Sequence, residues 1–196
     1  MNSSLASIDQ NSMMRTAGLE SVNHPSVSRF PLHIVAPQGQ LQIHTASFRG
    51  SFSIVLSEAL RTAGLGSNVL IAQFLKGGVS QGVHAGIQLC KHLNWIRPNL
   101  PYCLTQNKKH FKKEQQESIE TSILEIWTFC KEKLATKEVD RLVLDEIGLA
   151  ASLGFINEQD LIATLKSRPS STDVILTGPA ISPQIIEMAN QVTQIR

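Results

Sequence analysis

Charge is scarce in this chain and almost balanced: 18 lysines and arginines stand against 16 aspartates and glutamates in 196 residues. The charged share of 17% lies below the roughly 25% of ordinary globular proteins, while the apolar share of 42% is unexceptional. A net charge of +2 argues against a dedicated nucleic-acid binder, and the apolar content argues against a charged disordered chain. No apolar run approaches the roughly 18 residues that span a bilayer. Cysteine is also sparse. Cys90, Cys103 and Cys130 are odd in number and form no CxxC pair, which excludes a disulfide framework and a close-spaced zinc site. They read as small buried hydrophobes in a reducing compartment. The six histidines show no HExxH pattern.

What is present suits one domain with a real core. Residues 1–30 mix Ser, Asn and Gln with isolated apolar residues and lack the 7–15-residue apolar stretch of a secretory signal. They are expected to be a mobile tail ending near Pro31, with the domain over 31–196 and a cytoplasmic location.

Past the tail, strands and helices alternate. Leu41–His44 reads as a short strand, followed by a loop and a helix from about Ser51 to Ala63, stopped by Gly64 and Gly66. Val69–Leu75 is apolar almost throughout, as a strand buried on both faces of a parallel sheet should be. A short helix near 84–91 and a strand near 93–96 are weaker expectations. Ile119, Ile123, Ile126, Trp127, Cys130 and Leu134 fall at three- and four-residue spacing and predict a long helix with one apolar face. Arg141–Ile147 predicts a strand ending in two carboxylates. A helix over about 158–166, a strand and turn over 173–178, a helix from Pro183 to about Ala189 and a last strand over 192–195 complete the pattern. This alternation predicts an α/β fold, a doubly wound and mostly parallel sheet built from βαβ crossovers.

Open α/β sheets bind ligands outside the carboxyl ends of their strands. Three features fall there: the loop Thr45-Ala-Ser-Phe-Arg-Gly-Ser51, the pair Asp145-Glu146 and the turn Thr177-Gly178. A strand, loop and helix near the start, with an acidic strand end about a hundred residues later, is the layout of a phosphate-binding fold. Loop amides and a helix N-terminus cradle phosphate, and the acidic pair holds magnesium or orients water. The same two carboxylates also suit structural capping, and both readings stand at this point.

The whole string is more specific than its parts. Thr-Ala-Ser-Phe-Arg-Gly-Ser-Phe-Ser (45–53), Glu-Ala-Leu-Arg-Thr-Ala-Gly-Leu-Gly (58–66), Val-Leu-Ile-Ala-Gln-Phe-Leu-Lys-Gly (69–77), Leu-Val-Leu-Asp-Glu-Ile (142–147) and Val-Ile-Leu-Thr-Gly (174–178) follow in order. The chain resembles the housekeeping, phosphate-loop type of ATP:corrinoid adenosyltransferase over about residues 41–195. The resemblance implies a phosphate-loop NTPase-like (RecA-like) single domain, Mg-ATP and a corrinoid as ligands, and a homodimer. It also implies attack of cobalt(I) on the ribose 5′ carbon with loss of triphosphate. Thr45, Ser47, Arg49, Gly50, Ser51, Ser53 and Lys76 would be the nucleotide-binding positions, Asp145 and Glu146 the metal positions, and Tyr102 the corrinoid-facing one.

The chain departs from that family at the loop, whose usual form is Thr-Gly-Asn-Gly-Lys-Gly-Lys-Thr-Thr. Ala46 and Phe48 replace glycines and restrict positive φ and close approach to phosphate. Ser51 replaces the phosphate-binding lysine, and Phe52 replaces the hydroxyl that ligates magnesium. Arg49 keeps one positive charge, and Ser51 and Ser53 keep donors. Pro179 stands where the family turn carries arginine. Losing one charge-assisted hydrogen bond costs about 1.5–3 kcal/mol, so several such losses predict very weak Mg-ATP binding.

The expectation is therefore a degenerate, non-catalytic relative that binds a corrinoid, another small ligand or a protein partner through the inherited cleft. A working or impaired adenosyltransferase using Arg49 and the serines is the alternative. Phe48 and Phe52 are expected to pack in a rebuilt loop. Lys76 meets either an anion or solvent. The basic run Lys108–Lys113 reads as a solvated helix start with a Lys113–Glu117 pair rather than a nucleic-acid or membrane patch. Trp127 reads as core.

Overall fold

The computed structural model describes residues 38–50 and 52–195. The tail expected over 1–30, its boundary at 31 and the site position Ser51 lie outside the described residues. Among the described residues seven strands form one sheet: β1 (Leu41–Ala46), β2 (Val69–Gln73), β3 (Ile87–Cys90), β4 (Leu93–Ile96), β5 (Arg141–Asp145), β6 (Asp173–Thr177) and β7 (Gln191–Ile195). Their order is β3-β4-β2-β5-β6-β1-β7, and every pairing is parallel except β3 with β4.

The apolar runs explain this order. All five residues of β2 are buried, and β2 lies between β4 and β5. Alternate residues serve opposite faces. Ile71, Val143 and Ile175 pack with Val55 and Ala59 of α1 (Ser53–Gly64), whereas Leu70, Leu142 and Leu176 join the larger core beneath α2 (Lys113–Ala135). Helices α3 (Ile147–Ser152), α4 (Glu158–Lys166) and α5 (Pro183–Glu187) also contribute to that larger core. The result is the expected doubly wound α/β sheet, one layer between two helical layers.

The periodic stripe of α2 is buried throughout, and Trp127 is core as expected. Its Nε1 donates to Asp160 Oδ2 at 2.7 Å, and its ring meets Phe74 edge-on with centroids 6.3 Å apart. Among the described residues no helix is long and apolar enough to cross a membrane.

Several expectations are corrected. Residues 87–90 form a strand, not a helix, because they fold back through Lys91 and His92 to pair with β4. Gly86 permits that hairpin, since a Cβ there would lie 2.4 Å from Asn94 Oδ1. β1 continues through Thr45 and Ala46, expected in the loop, because β7 extends its ladder to Gln194 and Ile195. α1 starts at Ser53, with Phe52 as its N-cap and Phe52 O accepting from Val55 N. α3 was not anticipated, and α5 ends at Glu187. Of the cysteines only Cys130 is buried, its thiol pKa pushed up by desolvation; Cys90 is half-buried and Cys103 exposed. In the basic run the ion pair joins Lys108 to Glu120 at 3.4 Å rather than Lys113 to Glu117.

Candidate functional site

The parallel register lines up four strand ends. Gln73 of β2 pairs with Asp145 of β5, Asp145 with Thr177 of β6, and Thr177 with His44 of β1. These side chains form one row at the carboxyl edge of the sheet, where the βαβ handedness places the ligand cleft. Asp145, at 3% exposure, is fully engaged there. Its Oδ1 accepts from Thr177 Oγ1 at 2.5 Å, and its Oδ2 accepts from Gln73 Nε2 at 2.6 Å and Lys76 Nζ at 2.9 Å. His44 Nδ1 is buried without a hydrogen-bond partner among the described residues, and burial lowers the pKa of the ring.

Glu146 follows in a left-handed backbone conformation, φ 59° and ψ 26°, which a non-glycine residue adopts only at some strain. Its amide donates to Thr177 O at 3.0 Å, tying the bend to β6. The side chain, 1% exposed, receives a bidentate fork from Arg49, with Nε to Oε1 at 2.9 Å and Nη2 to Oε2 at 2.7 Å. Arg49 Nη1 also donates to Leu104 O at 2.7 Å. Hydrogen bonding to Glu146 holds the arginine pKa above its ordinary value against the opposing effect of burial. Leu104 N in turn donates to Leu75 O at 2.8 Å, so the loop after β1, the segment after β2 and the segment around residue 104 are stitched together.

Gly178 shapes the same corner. Its φ is +106°, and a Cβ there would come within 3.0 Å of Glu146 Cα. Gly178→Ala should therefore destabilise the fold by about 1–3 kcal/mol, measured by urea unfolding. Unchanged stability would show that the bend at Glu146 tolerates displacement.

Of the positions expected in the site, Arg49, Lys76, Asp145 and Glu146 come together. Lys76 is paired with Asp145 rather than solvated. Thr45 sits within β1 and pairs with Gln194; Ser47 and Ser53 are exposed, and none of the three joins this network. Gly50 is half-buried, a Cβ there lying 3.4 Å from the Phe48 ring. Tyr102 is exposed, in a segment that crosses Gly77 closely: a Cβ on Gly77 would overlap both Leu100 O and Tyr102 O at 2.3 Å. The expected packing of the two loop phenylalanines is half right. Phe52 is core, among Ala46, Val55, Ile71 and Val143, but Phe48 is 52% exposed. Sequence reasoning missed the His44 position, which the β1–β6 register reveals, and the Leu104 carbonyl, which the docking of a segment outside the sheet brings to Arg49.

A loop between a parallel strand and a helix, beside an acidic pair that ends another parallel strand, defines a phosphate-loop-type α/β protein. The profile described as ATP:corrinoid adenosyltransferase BtuR/CobO/CobP matches residues 37–196, and the chain belongs to this family. It is 25% identical over 158 residues to the corrinoid adenosyltransferase of Pseudomonas aeruginosa, covering 81% of this chain and 75% of that one. It is 24% identical over 160 residues to the corrinoid adenosyltransferase of Escherichia coli K12, covering 81% and 77%. An uncharacterized protein of Nostoc is 25% identical over 164 residues, covering 78% of this chain and 42% of its own length.

The acidic pair does not fit a magnesium ion as it stands. Every carboxylate oxygen of Asp145 and Glu146 already accepts from a protein donor, and two of those donors are cations. Among the described residues no cluster of three or more His, Cys, Asp or Glu side chains could hold a metal.

Proposed function

We propose that this chain is a non-catalytic relative of the corrinoid adenosyltransferases, whose cleft no longer takes up Mg-ATP and serves a corrinoid, another small ligand or a protein partner. One observation carries the reading. The cation that the loop retains, Arg49, is spent on Glu146 and the Leu104 carbonyl rather than facing an open phosphate cradle. Two features support it. Phe52, at the family's metal-ligand position, is buried in the core beneath α1, so no hydroxyl is available there. Ser51 stands at the position of the phosphate-binding lysine. A triphosphate leaving group of about four negative charges requires cations positioned for it. Arg49 and Lys76 are paired internally instead, with Glu146 and Asp145.

Calorimetric titration of the chain with Mg-ATP should give no measurable heat of binding at physiological concentration. Cobalt(I) corrinoid incubated with Mg-ATP should show no spectral conversion to the adenosylated form. Micromolar, magnesium-dependent affinity or catalytic conversion would sink the proposal and establish the working-enzyme alternative. Corrinoid binding without conversion would identify the ligand that the cleft retains.

A further inference from the structure

We propose that the Arg49 guanidinium is the chain's own replacement for a divalent cation at the acidic strand end. The inference rests on the reading of the cleft as one that no longer takes up Mg-ATP, and it says what has taken the metal's place. Glu146 is almost wholly buried, and burying a carboxylate is costly unless it is paired and hydrogen-bonded. Arg49 supplies that charge in the geometry that best matches a carboxylate, a planar fork with two parallel hydrogen bonds. Its third nitrogen, Nη1, donates to the Leu104 carbonyl, an oxygen ligand of the kind that a hard cation also prefers. Asp145 is matched separately by Lys76.

Two buried carboxylates therefore face two internal cations, and the cleft closes with no net charge left for a metal to neutralise. The arrangement also carries a mechanical role that a bound ion would otherwise perform. Through Arg49 the loop after β1 is fastened at once to the end of β5 and to the segment at residue 104. Arginine and a divalent ion compete for the same three oxygens. Removing the arginine should therefore uncover a cation site, and a cation bound there stabilises the fold by mass action.

The test is thermal unfolding of the full chain, in EDTA and in millimolar Mn2+, with free Mn2+ followed by its paramagnetic resonance signal. The wild-type midpoint should not respond to metal, and the wild type should remove no Mn2+ from solution. Arg49→Ala should melt about 6–12 °C lower in EDTA, or be unfolded, because Glu146 is left buried and unpaired. Millimolar Mn2+ should recover a substantial part of that loss or restore the fold. Arg49→Ala with Glu146→Gln removes the buried charge as well as its partner; it should be folded, less destabilised and indifferent to metal. Uptake of Mn2+ by the wild type would overturn the inference, as would an Arg49→Ala protein that metal neither stabilises nor refolds. Metal response in the double variant would overturn it too. A wild type that ignores Mg-ATP while Arg49→Ala ignores Mn2+ sinks this inference alone. Micromolar Mg-ATP binding by the wild type sinks the reading of the cleft beneath it.

Discussion

Phe52→Thr is expected to lose about 3–5 kcal/mol of stability, the range for truncating a buried aromatic side chain. The residue caps α1 and is 5% exposed, and its ring fills the space between that helix and the sheet beside Ala46, Val55, Ile71 and Val143. Threonine is the residue that the family loop carries here, so the substitution returns a hydroxyl while opening a cavity. Urea unfolding measures the loss. A change below about 1 kcal/mol would show that the ring is not part of the core. The same experiment bears on restoring the loop. Ser51→Lys with Phe48→Gly adds the missing charge and the glycine that the family loop carries, and leaves Phe52 in place. Adding Phe52→Thr makes the restored loop work against its own packing. Calorimetry on the double and triple variants separates the two effects. Nucleotide affinity gained by the triple variant would mean that the cleft still fits ATP once the loop does. None would mean that the Arg49–Glu146 clasp also has to be opened.

Much of the sheet was legible because its signals are local and strong. The run Val69–Leu75, apolar almost throughout, suits a strand buried on both faces, and its first five residues prove to form one inside the sheet. The stripe from Ile119 to Leu134 fixes one helix face and nothing else. The segment around 87–90 failed for the opposite reason. It is an exposed edge strand, so burial writes no pattern on it, and only its hydrogen bonds to β4 define it. The candidate site divides the same way. Asp145 and Glu146 announce themselves by ending an apolar run, but their partners lie far along the chain, with 97 residues separating Arg49 from Glu146. Sequence could place a cation in the loop. Whether it faces phosphate or a carboxylate depends on where the 104 segment docks, and that contact has no periodicity to read.

Asp145→Ala is expected to be as damaging as any change in the cleft, at about 3–5 kcal/mol. The carboxylate is the common acceptor for Thr177, Gln73 and Lys76, and its loss strands all three donors at the sheet edge. Gln73 has the least recourse, because its Oε1 is already buried without a partner. Asp145→Asn keeps the shape and one acceptor, but its amide then faces other donors and Lys76 loses its counter-charge. It should fall between wild type and alanine. Lys76→Met should lose less than Asp145→Ala, because the carboxylate it leaves without a counter-charge still accepts from Thr177 and Gln73. A double-mutant cycle between Asp145 and Lys76, read by urea unfolding, isolates their coupling from the contributions of Gln73 and Thr177. The losses should be the same in EDTA and in magnesium. A loss that appears only with magnesium present would make Asp145 a metal ligand, and a loss below about 1 kcal/mol would make it a bystander. The expected result makes it neither. The aspartate holds three strands in register through the side chains at their ends, which is reason enough for a carboxylate there even without nucleotide chemistry.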